Sequence, residues 1–595
     1  MNSTRALLTT RLSILSLALA LSSGLGKQAN AQSVQHLTIP QPGGMPGLPV
    51  MTGITRVTNG VSVTWDGPAG YCQLLQKHSL KDASWQAVGA ASLLRQTTVT
   101  PLSSNGFFRV ACPSPVYAGS ETCAECHGGI LSTESQTDHA KAFQSLQQIN
   151  QQTNPACLAC HTVGYKLPTG FSSAAATPAL AGVQCENCHG PAANHAAVYF
   201  DPSIRPRVEL AATLCGGCHT GSHQPNYDEW LTSDHSRMVE DMNPASRIES
   251  CGRCHSGSAR LSLLKSEPLP TGDANMPVVC VVCHDPHAQH AFANTLNGVY
   301  RFTNQITGAS IVISNTELGA IYTNQLRNPY SSTNDYSITN GTFATQYNPN
   351  VNVCAQCHND RGASWTTWSR PPHHSVQYNI LLGTVGELTN GLKPSLPATH
   401  SQLEEQCVSC HMQTAPYQSE SKPAITGHNF KVQLYDVCTP CHGAGQGQGL
   451  VQFMNFIVTN RVAQLKGSLD AWATNAAPAA LRSYGPRAWE YATPGALSSG
   501  GTGPTNATLQ ALIPMNIQKA RFNLYTVHND GSSGVHNPFY ILKLLDTADA
   551  WVRGERVPAS DASTSSQLST TPLTLQQLES AAAAWLKGTQ NKPGS

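Results

Sequence analysis

The sequence predicts a mainly α chain with much irregular structure, headed by a small β-sandwich and closed by a C-terminal helical bundle. Three observations carry that expectation. Cys-x-x-Cys-His recurs nine times between Cys123 and His442. Before that stretch, short runs alternate apolar and polar residues; after it, apolar residues recur at spacings of 4 and 3.

The first element expected is the sandwich, over residues 32–115. Val61-Ser62-Val63-Thr64-Trp65 alternates, Asp66-Gly67-Pro68 turns the chain, and further runs follow at Cys72–Gln76, Thr97–Thr100 and Phe107–Val110. Short strands with turns at this spacing suit an antiparallel sandwich resembling a fibronectin type III module. Trp65 and Trp85 are read as its core. Cys72 and Cys112 are the two cysteines outside the repeats, and both fall in this segment. An intramolecular disulfide between them is favoured over buried thiols or an intermolecular bond. Closing that loop of about 40 residues would add roughly 4 kcal/mol in the chain-entropy model.

The central segment, residues 116–446, is defined by the repeats: Cys123–His127, Cys157–His161, Cys185–His189, Cys215–His219, Cys251–His255, Cys280–His284, Cys354–His358, Cys407–His411 and Cys438–His442. Paired cysteines also build zinc ribbons, but those do not require a histidine directly after the second thiol. Two thiols at that spacing reach the two vinyl groups on one edge of a porphyrin, and the adjacent histidine is delivered to the iron. The attachment residues are therefore Cys123, Cys126, Cys157, Cys160, Cys185, Cys188, Cys215, Cys218, Cys251, Cys254, Cys280, Cys283, Cys354, Cys357, Cys407, Cys410, Cys438 and Cys441. His127, His161, His189, His219, His255, His284, His358, His411 and His442 are the proximal ligands. The fold expected is a multihaem cytochrome c arrangement organised around nine covalent c-type haems. At about 36 residues per haem no ordinary apolar core is possible, so the porphyrins act as the core. Short helices are expected at Ser135–Leu146 and Asp228–Met238, and a strand at Ala309–Ser314.

Twelve further histidines lie in or after this region. They supply candidate distal ligands for mostly bis-histidine irons: His139, His195, His223, His235, His287, His373, His374, His428, His528 and His536. His139 and His235 are expected on helices, and one of His373 and His374 is expected to face iron. His290 and His400 are ranked below these. His36 and His78 are read as surface or core residues. No catalytic residue is marked. Arg361, Trp365, Trp368 and Arg370 suit packing against a porphyrin and its propionates better than a substrate pocket.

From residue 447 to 553 the chain turns helical. Val458, Val462, Leu465, Leu469 and Trp472 form one apolar stripe, and Ile513, Ile517, Ala520, Leu524 and Val527 a second. A third helix is expected from Asn537-Pro538, with Asn as N-cap. Residues 554–595 read as a tail with a short helix.

Arg5 and Arg11 before the apolar run Leu12–Leu21, then Ala29-Asn30-Ala31, give residues 1–31 the layout of a cleaved secretory signal peptide. A run of ten falls short of the ~20 residues a spanning helix needs, so no transmembrane segment is expected in the mature chain. The polypeptide is near neutral at +1, with no basic stripe for nucleic acid. Haem propionates would carry it toward a limit of about −17.

Residues Tyr117–His127, Cys157–Tyr165 and Gly182–Pro191 resemble the tetrahaem cytochromes c that serve hydroxylamine oxidoreductase. Gly534-Val535-His536-Asn537-Pro538 and the helices around it are similar to the end of ammonia-forming cytochrome c nitrite reductases. The resemblance spans residues 117–290 and, more loosely, 407–550. It implies closely packed haems and several of the distal histidines above. None of the nine repeats ends in Lys, unlike the catalytic CxxCK motif of those reductases, and none of the 17 tyrosines is marked as the cross-link of hydroxylamine oxidoreductase.

The expectation is an exported electron carrier of anaerobic, nitrogen or metal respiration, periplasmic or at the cell surface. Its partners would be redox proteins or quinol-linked donors, with a small-molecule or extracellular acceptor. The alternative is an oxidoreductase of a small nitrogen or sulfur compound at one five-coordinate haem.

Overall fold

The structure is a computed structural model that describes residues 50–556 apart from short breaks and the longer stretches 328–352 and 390–397. The signal peptide, the Pro/Gly linker, His36, His78 and the C-terminal tail lie outside the described residues. The chain divides into two units, Met1–Thr220 with Pro286–Gln289, and Gly221–Asp285 with His290–Ser595.

In the first unit six strands make two antiparallel sheets. β1 (Val50–Val57), β2 (Gly60–Asp66) and β5 (Gln96–Val99) form one, in the order β1-β2-β5. β3 (Cys72–Lys77), β4 (Gln86–Ser92) and β6 (Phe107–Ala111) form the other, in the order β4-β3-β6. The inward residues of the alternating run, Val63 and Trp65, are buried with Cys72, Leu74 and Val99, as the period of 2 requires. Trp85, read from the sequence as core, sits instead under the cations of Lys77 and Arg109. Gln73 pairs with Ala111, which sets Cys72 and Cys112 side by side, and a disulfide joins them.

The same unit then winds short helices around Tyr117, Phe143, Leu146, Leu158, Val163, Phe171 and Leu180, all buried. Glu186, inside the third repeat, is 1% exposed. Its carboxylate accepts from the backbone N–H groups of Ala118, Gly119 and Ala192 at 2.7–3.0 Å. Three donors replace the lost water, as a buried carboxylate needs.

Two helix expectations need correction. The helix placed at Ser135–Leu146 is two pieces, Ser120–Glu134 and Ala142–Gln148, with turns between. Thr137 Oγ1 donates back to the Glu134 carbonyl at 2.7 Å, the local side-chain competition that ends helices. The helix placed at Asp228–Met238 is Asn226–Leu231 followed by 3₁₀ turns. Thr232 and Ser233 donate to the carbonyls of Glu229 and Trp230 there. His139 and His235 consequently stand on turns rather than on α-helix.

In the second unit β7 (His290–Ala293) pairs with β10 (Ile321–Asn324), and β8 (Val299–Thr303) with β9 (Ser310–Ser314). Helices Gly447–Asn475, Met515–Asp530 and Pro538–Arg556 close the chain. The first buries Val458, Leu465, Leu469 and Trp472; the second buries Ile517, Ala520, Leu524 and Val527. Each such aliphatic side chain contributes about 1.5–3 kcal/mol by leaving water. Ile513 is equally buried but precedes its helix, because Pro514 occupies the N-cap. Asn537 Oδ1 accepts from Tyr540 N at 3.3 Å and caps the last helix.

Candidate functional site

Seven of the nine repeat histidines face a second imidazole. In the first unit His219 stands opposite His139 with ring centres 5.9 Å apart, and His189 opposite His287 at 6.0 Å. In the second unit the pairs are His255–His373 at 5.8 Å, His358–His235 and His411–His536 at 6.1 Å, His284–His428 at 6.2 Å, and His442–His400 at 6.3 Å. A metal bound on both sides through imidazole nitrogens at about 2.0–2.1 Å, each about 1 Å from its ring centre, puts the centres about 6 Å apart. All seven spacings fit an iron held between two imidazoles.

Seven of these fourteen rings are held toward the neutral state a ligand needs. Burial pushes His235 and His373 down to about 4 and lowers His139, His358, His400, His411 and His442 as well. Neutral imidazole keeps the lone pair that binds metal. Several Nδ1 atoms are already engaged: His411 with the Phe430 carbonyl and His400 with that of Val535, both at 2.9 Å. His161 holds the Ala142 carbonyl at 2.7 Å, and His358 the Gln377 Oε1 at 3.3 Å. These bonds fix the tautomer and leave Nε2 for iron.

Backbone and carboxylate groups aim the opposing rings. Glu229 accepts from Thr426 N, Thr426 Oγ1 and His428 N at 2.7–3.0 Å. Gly427, at φ +72°, lies where a Cβ would sit 2.4 Å from Met412 Cα; only glycine lets the chain pass there and turn His428 inward. Gly534, at φ +101°, does the same against Val458, two residues before His536.

The remaining candidates are placed differently. His223 stacks on Tyr417 with ring centres 3.7 Å apart. His374 neighbours His373, and His528, lowered by burial, lies within its electrostatic reach. His195 is on the short helix Ala193–Ala197, its Nδ1 buried without a hydrogen-bond partner. Among the described residues no second imidazole stands at the same spacing from His127 or His161. Trp365 packs against the C-terminal core, with Lys519 over its ring. His400 is the facing residue that the sequence reading ranked below the others. Its one signal was position, since a histidine seven residues before Cys407 has no helix or turn pattern to recommend it.

Thiols of different repeats meet. Within the first unit Cys123 lies near Cys185, and Cys160 near Cys218. In the second, Cys254 meets Cys357 and Cys354 meets Cys407, while Cys410 feels the charge of Cys438. Attachment sites of different repeats are thus neighbours: the first with the third, the second with the fourth, the fifth with the seventh, and the seventh with the eighth.

Residues 122–190 match the family described as cytochrome c554 and c-prime, and residues 267–453 match the outer membrane cytochrome MtrC/MtrF-like domains II/IV. Over these segments the chain is similar to multihaem c-type cytochromes. Cytochrome c-554 of Nitrosomonas europaea is 31% identical over 134 residues, covering 17% of this chain and 57% of the relative. Multiheme cytochrome MtrA of Shewanella baltica is 27% identical over 155 residues, covering 22% and 45%. The chain therefore spans about half the length of the curated relatives it matches. The outer cell wall cytochrome OcwA shares 18% identity, with a TM-score of 0.44 over 73% of this chain and 99% of the other. Covalent c-type haem follows from the family, and the Cys-x-x-Cys-His runs are where this chain would hold it. Among the described residues no helix is long and apolar enough to cross a membrane.

Proposed function

We propose that this chain is an exported nonahaem electron carrier, one haem at each repeat, serving anaerobic, nitrogen or metal respiration. The observation that carries the reading is the set of seven facing imidazole pairs, 5.8–6.3 Å between ring centres. Two imidazoles close an iron to substrate while leaving it free to exchange one electron with its neighbours. The residues do the rest. Facing imidazoles would hold both axial positions, oxygen acceptors lock the tautomers of several of them, and neighbouring thiols bring attachment edges of different repeats together. The three C-terminal helices form a bundle closing the second unit, and the N-terminal strands form a sandwich that docks or spaces the cytochrome. Redox proteins or quinol-linked enzymes would donate, and a small-molecule or extracellular acceptor would receive. Periplasm and cell surface both suit the expected leader.

A second reading rests on His127 and His161, which have no facing imidazole among the described residues. An iron open at one of them would suit an oxidoreductase of nitrite, hydroxylamine or a sulfur compound. Low-temperature EPR of the oxidised protein separates the two. Low-spin signals untouched by nitrite, hydroxylamine or cyanide support the carrier; a high-spin signal that shifts with them gives precedence to the enzyme.

A further inference from the structure

His536 differs from His358, His400, His411 and His428 in what holds it. The Nδ1 partners of these four are neutral: carbonyl or amide oxygens, with the Thr426 hydroxyl and the Asn226 amide also beside His428. His536 Nδ1 instead donates to the carboxylate of Asp530, 2.7 Å away. That carboxylate side chain has 0% exposure. Its second oxygen accepts from the Ser532 hydroxyl and from Ser532 N at 3.3 Å. Asp530 also ends the helix Met515–Asp530, where the partial charge of the helix is itself negative. Across from His536, His411 leans only on the neutral Phe430 carbonyl.

We propose that Asp530 is a positioning residue that makes the haem of the eighth repeat, Cys407–His411, the more reducing member of its neighbourhood. The inference rests on His411 and His536 being the axial pair of that iron. A buried carboxylate draws the Nδ1 proton and gives the imidazole imidazolate character, raising its basicity as a ligand. Its full charge, unscreened by water, favours the ferric over the ferrous state. Adding one electron from an external donor adds negative charge beside Asp530, and nothing covalent changes. Because Cys407 lies near Cys354 and Cys410 near Cys438, this iron would stand between its seventh- and ninth-repeat neighbours. It would then be an uphill step that governs flow between them.

The test is a dithionite titration of the full-length haem-loaded protein, followed by visible and EPR spectra, on wild type, Asp530→Asn, Asp530→Glu and Ser532→Ala. Asp530→Asn keeps the hydrogen-bonding shape and removes the charge. It is expected to raise the ferrous-to-ferric ratio of one haem at least tenfold at a fixed potential, about 59 mV, with the low-spin count unchanged. Asp530→Glu should return that haem toward wild type, which a purely structural role would not produce. Ser532→Ala strips a donor from the carboxylate, strengthens its pull on Nδ1, and should move the same haem the opposite way. If Asp530→Asn fails to load haem, Ser532→Ala decides alone. Nine unmoved potentials with intact low-spin signals overturn the proposal. His536→Gly tests the ligand reading separately: an unchanged low-spin count there would remove the axial pair rather than the role of Asp530.

Discussion

His400→Ala isolates one iron, and its consequences follow from the geometry at the ninth repeat. His400 and His442 have ring centres 6.3 Å apart, so an iron midway sits about 3 Å from each, within the reach of a metal–imidazole bond of about 2 Å. His400 is held by its bond to the Val535 carbonyl, and alanine removes the ring without touching a thiol. The sixth position of that iron then opens by the thickness of an imidazole, room enough for water, cyanide or free imidazole. Roughly one ninth of the haem should leave the low-spin signal, and millimolar imidazole should restore it. EPR and visible spectra of the oxidised variant, with and without imidazole, read this directly. A full low-spin complement in His400→Ala, with no response to cyanide, would refute the reasoning and the pairing with it.

Three further outcomes are expected. His373→Ala should convert one haem to high spin while His374→Ala leaves the spectrum as it was, because His373 alone of the two faces His255; haem spectra of both variants check this. Leu469→Ala, at a side chain with 0% exposure, should cost about 2–5 kcal/mol, read from the shift in guanidinium midpoint. Burial holds Glu134 up at about 7 against 4.5 unfolded. The folded chain therefore keeps a proton that the unfolded chain has lost, and stability falls as pH rises through that window. Glu134→Gln should flatten the dependence in urea titrations across it, and an unchanged slope would remove Glu134 from the account.

The repeats were legible because their chemistry is local, two thiols and an imidazole within five residues. The apolar stripes of two C-terminal helices were legible for a related reason, since burial on one face imposes a period that needs no knowledge of the partner, and Asn537-Pro538 marked the start of the third. The facing imidazoles were harder. His428 was marked by its Gly-His-Asn turn, but His400 had no such mark, and only the fold brings Val535 and His442 to it. His139 and His235 pair with repeat histidines from turns, not helices, because threonine and serine hydroxyls took backbone carbonyls and cut the helices short. Periodicity cannot register that competition. His223 shows the reverse case: a histidine near a repeat that stacks on a tyrosine 194 positions away in the chain.

The meeting of thiols from different repeats has a consequence for biogenesis. Cys123 beside Cys185, Cys160 beside Cys218, Cys254 beside Cys357 and Cys354 beside Cys407 are each one two-electron oxidation from a cross-link. Every such bond would consume one attachment sulfur from each of two haems. A polypeptide that collapsed to this arrangement before receiving its porphyrins, among oxidants that also make the Cys72–Cys112 bond, would trap itself in a form no ligase could load. Thioether formation ahead of compaction would avoid that trap, because an attached sulfur is no longer free to oxidise.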